Sequence, residues 1–386
     1  MPGVSFSDNG GMTSASHSSA VAEPFDGLRI RGVAKTFGAD TTVLNEIDLD
    51  VHPGELISLV GSSGTGKSTL LRIIAGLEEP SAGRVTYAGQ PLERGSVGVV
   101  FQRPILYPHL SVKDNILFPT RLGAFSGGVD MDYYRELLEA LKLEGLESRK
   151  PSQLSGGQAQ RVGIARALIR RAPVVLFDEP LASVDEEMSA SIRADIVRLH
   201  ERYGFTGLYV THDQNEALML GQRVAVMDAG YLVQVDTPER LLAHPHTLQV
   251  AKLLAAPALN LVALEDSAVL PAGCELAIRA TALYPVAADA AHSLPVQVLG
   301  SRHLVGGMLY RARLLEAVSL PLESRRASAD SELSARMYAR VRAGQELEFF
   351  IPDAQGGTSL SVGDRVHLGV AAERCFLFSE GKRFYL

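Results

Sequence analysis

Short, uninterrupted apolar runs recur through the first part of the chain, each bounded by glycine, proline or acidic residues. Those beginning at Leu56, Val97, Val174, Leu208 and Val224 lack alternation, as strands buried on both faces do. They predict mostly parallel buried strands separated by helices. Leu28–Phe37, Leu44–Val51 and Arg84–Tyr87 predict a partly antiparallel layer beside them. Helical spacing marks Ser68–Ala75, where Leu70, Ile73 and Ile74 share a face and Gly76 offers a C-cap. It returns over Asp132–Leu143, with Leu137, Leu138, Leu141 and Leu143 on the apolar side. A third helix follows Ser155, carrying Val162, Ala165, Leu168 and Ile169. Past residue 245 the texture changes to short runs between Gly, Pro and Asp turns: Glu275–Ile278, Pro295–Leu299, Met308–Leu314, Glu346–Ile351 and Arg365–Val370. These predict small β-barrels. The polar stretch Glu323–Ser334 predicts a mobile surface loop.

Chemistry enters where the runs end. Leu56–Val60 leads into Gly61, Ser62, Ser63, Gly64, Thr65, Gly66, Lys67, Ser68 and Thr69, a full G-x-x-x-x-G-K-[ST] phosphate loop. Its glycines let backbone N–H groups turn toward a polyphosphate, and the following helix adds its positive end. Lys67 should reach the β- and γ-phosphates, with Ser68 on Mg²⁺. The run Val174–Phe177 ends in Asp178-Glu179-Pro180, so two carboxylates emerge at the carboxyl edge of a buried strand, where open α/β sheets bind ligands. Asp178 is positioned to hold Mg²⁺ through its water shell, and Glu179 to act as general base toward an attacking water. A kinase, a GTPase or a motor ATPase would carry both features equally well.

Ser155, Gly156, Gly157 and Gln158 narrow the choice. Locally they form an S-x-x-Q capping box. Two glycines in a first helical turn cost roughly 1 kcal/mol each against alanine, so a purely structural cap has little reason to carry them. They leave a bare helix N-terminus suited to phosphate.

With that segment the chain resembles the ATP-binding cassette family, whose signature helix binds the γ-phosphate of an ATP held by the opposite subunit. The resemblance implies an α/β phosphate-loop NTPase cassette, a mostly parallel sheet with antiparallel and helical subdomains. It gives Gln102 the role of the Q-loop glutamine that touches Mg²⁺ and the attacking water and relays nucleotide state to a membrane partner. Asp185, in Leu181-Ala182-Ser183-Val184-Asp185, is similar to the residue whose loop crosses the dimer interface; Ala182 stands where relatives often have serine. His212 matches the switch histidine on the γ-phosphate, Phe37 the aromatic under adenine, and Val43 its neighbour. The β-rich extension resembles the OB-like, TOBE-type regulatory domain of importer ATPases. Leu106-Tyr107-Pro108-His109-Leu110 and Thr211–Ala217 lean toward the sugar importers, with polyamine, ferric-iron and oxyanion importers as alternatives. Those relatives usually carry Arg-Pro-Glu where this chain has Arg279-Ala280-Thr281.

Composition and texture divide the chain into a tail at 1–25, rich in Ser, Ala and Gly and predicted to be disordered, and two parts at 26–245 and 246–386; the resemblance makes these the cassette, with its helical subdomain at about 103–153, and a regulatory domain. It implies ATP and Mg²⁺ as cofactors, a second copy in a head-to-tail dimer, two integral membrane permeases, and indirectly an extracytoplasmic solute-binding protein. Composition agrees: 386 residues at 46% apolar content suffice for two cores. No apolar run reaches the ~18 residues of a membrane span, so any membrane association must come through another protein; the resemblance implies a peripheral subunit at the cytoplasmic face. The first 25 residues lack Lys, Arg and an apolar core, unlike a signal peptide. A net charge of −7 argues against a nucleic-acid partner, and Cys274 and Cys375 have no metal-ligand spacing. Two other functional classes stay open: a soluble ATPase of this family uncoupled from transport, and a ligand-binding or regulator-binding role for the extension.

Overall fold

The computed structural model describes residues 25–38, 40–121, 129–265, 270, 273–322, 337–353, 359–371 and 374–384. Most of the predicted tail and the predicted loop at Glu323–Ser334 lie outside them. The central strands β3 (Leu56–Val60), β7 (Val174–Asp178) and β8 (Thr206–Thr211) divide their side chains between two layers. Leu56, Val175, Phe177 and Tyr209 enter a core shared with helices. Ile57, Leu59, Val174, Leu176, Leu208 and Val210 enter another, shared with the antiparallel layer. Both faces being covered is why the runs read as continuous apolar segments.

With β6 (Gly98–Val100), β9 (Arg223–Asp228) and β10 (Tyr231–Asp236) these strands form a six-stranded sheet in the order β10-β9-β3-β8-β7-β6, parallel except for β10. The antiparallel layer is β2-β1-β4-β5, from β1 (Leu28–Phe37), β2 (Thr41–Val51), β4 (Ala82–Tyr87) and β5 (Gln90–Pro91).

Helix α1 is Lys67–Ile74, one residue earlier at each end than the pattern predicts. Gly66, at φ 97°, ends the loop and makes Lys67 the first helical residue. A Cβ there would lie 2.6 Å from Leu44 Cδ2 and 2.8 Å from the Val43 carbonyl oxygen, so conformation and space both require glycine. Gly76, at φ 67°, closes the helix, with the Leu77 N–H on the Arg72 carbonyl at 2.9 Å.

The helical side comprises α2 (Val112–Leu117), α3 (Met131–Ala140), α4 (Gly156–Leu168) and α5 (Glu186–Tyr203). Helix α3 stops before the predicted Leu143. Lys142 turns to φ 56°, and Leu141 and Leu143 reach the core from the turn. Asp195 on α5 is fully buried and is held by Arg161 of α4 at 2.9 Å, with Lys142 and Arg198 at its other oxygen.

Beyond α6 (Gln214–Leu220) and α7 (Pro238–Ala243), helix α8 (Leu248–Leu253) faces two ways. Val250 packs with Val224 and Val226 of β9, whereas Leu248 and Ala251 pack with Phe376 and Phe378. Those phenylalanines lie on β20 (Cys375–Ser379), in an antiparallel sheet ordered β11-β12-β20-β21 with β11 (Leu259–Ala263), β12 (Glu275–Arg279) and β21 (Lys382–Phe384). A second sheet is β13-β19-β14-β15-β18, from β13 (Leu283–Val286), β14 (Leu294–Leu304), β15 (Gly307–Leu314), β18 (Glu346–Pro352) and β19 (Arg365–Val370). Strands β16 (Val318–Leu322) and β17 (Met337–Val341) pair with each other. Both sheets contribute to one core, in which Tyr310 stacks on Phe349. No helix among the described residues is long and apolar enough to cross a membrane.

Candidate functional site

The phosphate loop runs from the carboxyl end of β3 to the N-terminus of α1, with Ser62, Ser63 and Gly64 exposed and Thr65, Gly66 and Lys67 buried. The Lys67 ammonium folds over its own loop and donates to the carbonyls of Gly61 at 2.8 Å and Ser62 at 2.9 Å. Thr65 Oγ1 donates to the same Ser62 carbonyl. Burial pushes the Lys67 pKa down, opposed by the charges of Glu179 and Asp178. A cation held on neutral carbonyls beside exposed loop amides can accept a polyphosphate with little rearrangement.

Strand β7 is two places from β3 in the sheet, across β8, and delivers the carboxylates to the same edge. Ser68 Oγ donates to Asp178 Oδ1 at 3.2 Å. Burial raises the Asp178 pKa, and the Ser68 bond pulls it back. The hydroxyl and carboxylate make a hard oxygen pair, the donor set that suits Mg²⁺. Glu179 follows with φ at 43°, a left-handed backbone that a branched or long side chain rarely adopts. Its N–H donates to the Val210 carbonyl, and its Oε2 lies 3.0 Å from His212 Nδ1. A carboxylate touching an imidazole at a strand edge can orient and deprotonate a water.

His212 is set from behind by a residue that the sequence reading passed over. Glu216, on the first turn of α6, is buried and accepts from Thr211 Oγ1 at 2.8 Å and from the Tyr209 hydroxyl at 3.2 Å. Arg193 of α5 pairs with its other oxygen at 3.4 Å. Asp213 caps α6 through the N–H groups of Asn215 and Glu216. The Asp213-x-x-Glu216 spacing could have flagged this position as a capping box, but the glutamate turns inward instead. Burial and then Glu216 push the Tyr209 hydroxyl well above the ordinary tyrosine range.

Gln102 is exposed just past β6, at the edge next to β7. Val43, half-buried, puts its carbonyl against Gly66, and Phe37 is 42% exposed under the Lys35 ammonium. Ser155–Gln158, which the sequence predicts as a second phosphate-binding turn, opens α4. Ser155 and Gln158 form the reciprocal box, each side chain accepting the other's backbone N–H, at 3.2 and 3.0 Å. Among the described residues no hydrogen bond or ion pair links positions 155–158 to the phosphate loop. The two glycines differ, which corrects the expectation that neither had a structural reason. A Cβ on Gly157 would meet Met188 Cγ of α5 at 2.5 Å, whereas one on Gly156 would meet open space. Exposed Asp185 caps α5 by accepting from the Met188 N–H.

Comparison with known proteins places the chain in a family. A family profile described as "ABC transporter" matches residues 44–182. The sn-glycerol-3-phosphate import ATP-binding protein UgpC 1 of Rhizobium johnstonii is 45% identical over 241 residues, covering 61% of this chain and 65% of that protein. The chain therefore spans just under two thirds of that relative's length in the match. The protein named sn-glycerol-3-phosphate import ATP-binding protein UgpC from Salmonella typhimurium is 36% identical over 347 residues, covering 85% of this chain and 96% of that one. Among solved structures, cbiO1 from Clostridium perfringens, part of the ABC transporter complex cbiONQ, has TM-score 0.51 and 27% identity. It covers 57% of this chain and 92% of its own.

Proposed function

Because the chain belongs to the ATP-binding proteins of ABC transporters, we propose that it is the ATP-hydrolysing subunit of a binding-protein-dependent importer. The observation carrying this reading is the convergence of Lys67, Ser68, Asp178, Glu179 and His212 at one sheet edge. In it the loop amides and Lys67 bind the β- and γ-phosphates of ATP, and Phe37 and Val43 receive the adenine. Ser68 and Asp178, with Gln102, would hold Mg²⁺, which when bound supplies charge neutralisation on the phosphates. Glu179 takes a proton from the attacking water while His212 holds the carboxylate and the γ-phosphate in register.

Ser155, Gly156, Gly157, Gln158 and Asp185 act on the ATP of a second copy. That no described hydrogen bond or ion pair joins them to their own phosphate loop supports a head-to-tail dimer. Exposed Ile105 and Tyr107, just past Gln102, offer apolar surface for a permease. Two permeases and a solute-binding protein complete the assembly at the cytoplasmic face of the membrane. The two antiparallel sheets after α8 support an OB-like, TOBE-type regulatory domain. The relatives' names favour a carbohydrate or polyol phosphate as cargo.

Glu179→Gln tests the reading. The amide keeps the side chain's shape but cannot take the proton, so turnover should fall by about 10²–10⁴-fold. Nucleotide affinity, measured by fluorescence titration, should stay near wild type, and an ATP-bound dimer should accumulate. A variant that hydrolyses ATP at the wild-type rate would remove Glu179 from the mechanism.

A further inference from the structure

A cavity lies away from the phosphate loop, where the cassette meets the C-terminal sheets. Its volume is about 530 Å³, and it is lined by Gln214, Leu218 and Leu242 from one side and by Arg279, Thr281 and Arg374 from the other. Arg279 is 7% exposed. Its guanidinium donates to the Leu254 carbonyl at 2.6 Å and the Leu242 carbonyl at 3.2 Å, and stands over the Phe376 ring. A guanidinium has five N–H donors, and the two that are engaged meet neutral carbonyls. Burial, then the like charge of Arg374, brings the Arg279 pKa down to about 10. Glu239 is the one carboxylate among the described lining residues. A buried cation beside a second cation, with no carboxylate on either fork among the described ion pairs, favours an anion.

We propose that this cavity binds a small phosphate monoester and that its occupancy adjusts ATP turnover. A phosphate monoester carries about −1.5 to −2 charges at neutral pH, which matches two guanidiniums, and its oxygens suit their paired donors. The Thr281 hydroxyl adds a donor. Leu218, Leu242 and Leu254 give the wall an apolar part that a short carbon skeleton covers and bare phosphate does not. The coupling follows from Gln214 and Leu218, which belong to α6. That helix begins one residue after Asp213, its cap, and Asp213 adjoins His212. A ligand bridging α6 and the C-terminal arginines therefore fixes the helix that carries the switch. The binding part stands independently; the coupling part rests on the ATPase reading above.

Calorimetry on the full chain, saturated with a non-hydrolysable ATP analogue so that the phosphate loop is filled, tests the site. The probe is sn-glycerol 3-phosphate, with glycerol as its neutral counterpart. One saturable event is expected with the phosphate and none with glycerol. Arg374→Gln and Thr281→Glu, both at exposed positions, should weaken binding by about tenfold or more, with analogue affinity and melting temperature unchanged. No saturable binding to the wild type, equal binding of glycerol, or wild-type affinity in both variants would overturn the site. In a second arm the probe should change ATP hydrolysis by about twofold or more in the wild type and not in the variants. Hydrolysis indifferent to a bound probe would overturn the coupling alone. Absence of any hydrolysis without the probe would count against the ATPase reading and not against the cavity.

Discussion

At the scale of single residues, the histidine at the sheet edge depends on a glutamate that never reaches the ligand side. Glu216 receives two hydroxyls and a guanidinium at a buried position, so Thr211 and Tyr209 are fixed on the strand that ends one residue before His212. Replacing it by alanine leaves these donors and Arg193 unpaired, and unmet buried polar groups cost more than the bonds themselves contribute. Glu216→Ala should lose about 3 kcal/mol in urea denaturation and lower kcat, because His212 no longer has a fixed backbone. Glu216→Gln, which keeps one acceptor, should lose less on both measures. Equal stability of the alanine variant and the wild type would show that the network carries no load. Sequence spacing could have pointed to Glu216 only as a helix cap. Only the fold reveals that its carboxylate turns toward β8, because Arg193 and Tyr209 come from elements that no local pattern joins.

The α4 start shows how one element serves packing and chemistry with neighbouring glycines. Gly157 lies against Met188, so its hydrogen is a packing requirement; Gly156 faces open space and has none. Gly156→Ala should hold or raise the melting temperature, since alanine is favoured over glycine in helices by up to about 1 kcal/mol, yet it should lower ATP turnover by crowding an incoming phosphate. Gly157→Ala should lower the melting temperature, with Met188→Ala restoring it in the double variant. If Gly156→Ala retained full turnover, the exposed turn would have no phosphate to receive. The helix itself was legible in the sequence, as were the doubly buried strands and the loop between β3 and α1, because each rests on local periodicity and capping chemistry. The ends of α1 and α3 shifted because Gly66 and Lys142 take left-handed backbone, which the apolar pattern does not encode. The Arg161–Asp195 pair that joins α4 to α5 spans 34 positions and was invisible for the same reason as the pairing of β16 with β17. Such partners are chosen by the fold, not by neighbours in the chain.

For the whole molecule, the decisive observation is that the Lys67 loop and the Ser155 turn, the two surfaces proposed to receive phosphate, are joined by no described hydrogen bond or ion pair. Lys67 is bound to its own loop carbonyls, and the Ser155 turn lies beside α5, joined by no described bond to that loop. Two copies arranged head to tail bring each surface to the other's partner and give two equivalent sites, each with Lys67 from one copy and Ser155 from the second. This arrangement predicts complementation. Lys67→Ala and Ser155→Arg should each abolish hydrolysis alone, since every site in either homodimer lacks one surface. Mixed, they form heterodimers in which one site carries both substitutions and the other carries neither. Random mixing makes about half the dimers heterodimers with one intact site of two, so recovery should approach about a quarter of wild-type activity if sites fire independently, and less if both must close together. The measurement is ATP hydrolysis against mixing ratio at fixed total protein, which should peak at equal amounts. A flat line at zero, with dimers verified by sedimentation, would place both surfaces of a site on one chain or require two intact sites for any turnover; mixing the Lys67→Ala, Ser155→Arg double variant with wild type would select the first if activity fell in proportion to the wild-type fraction and the second if it fell as its square.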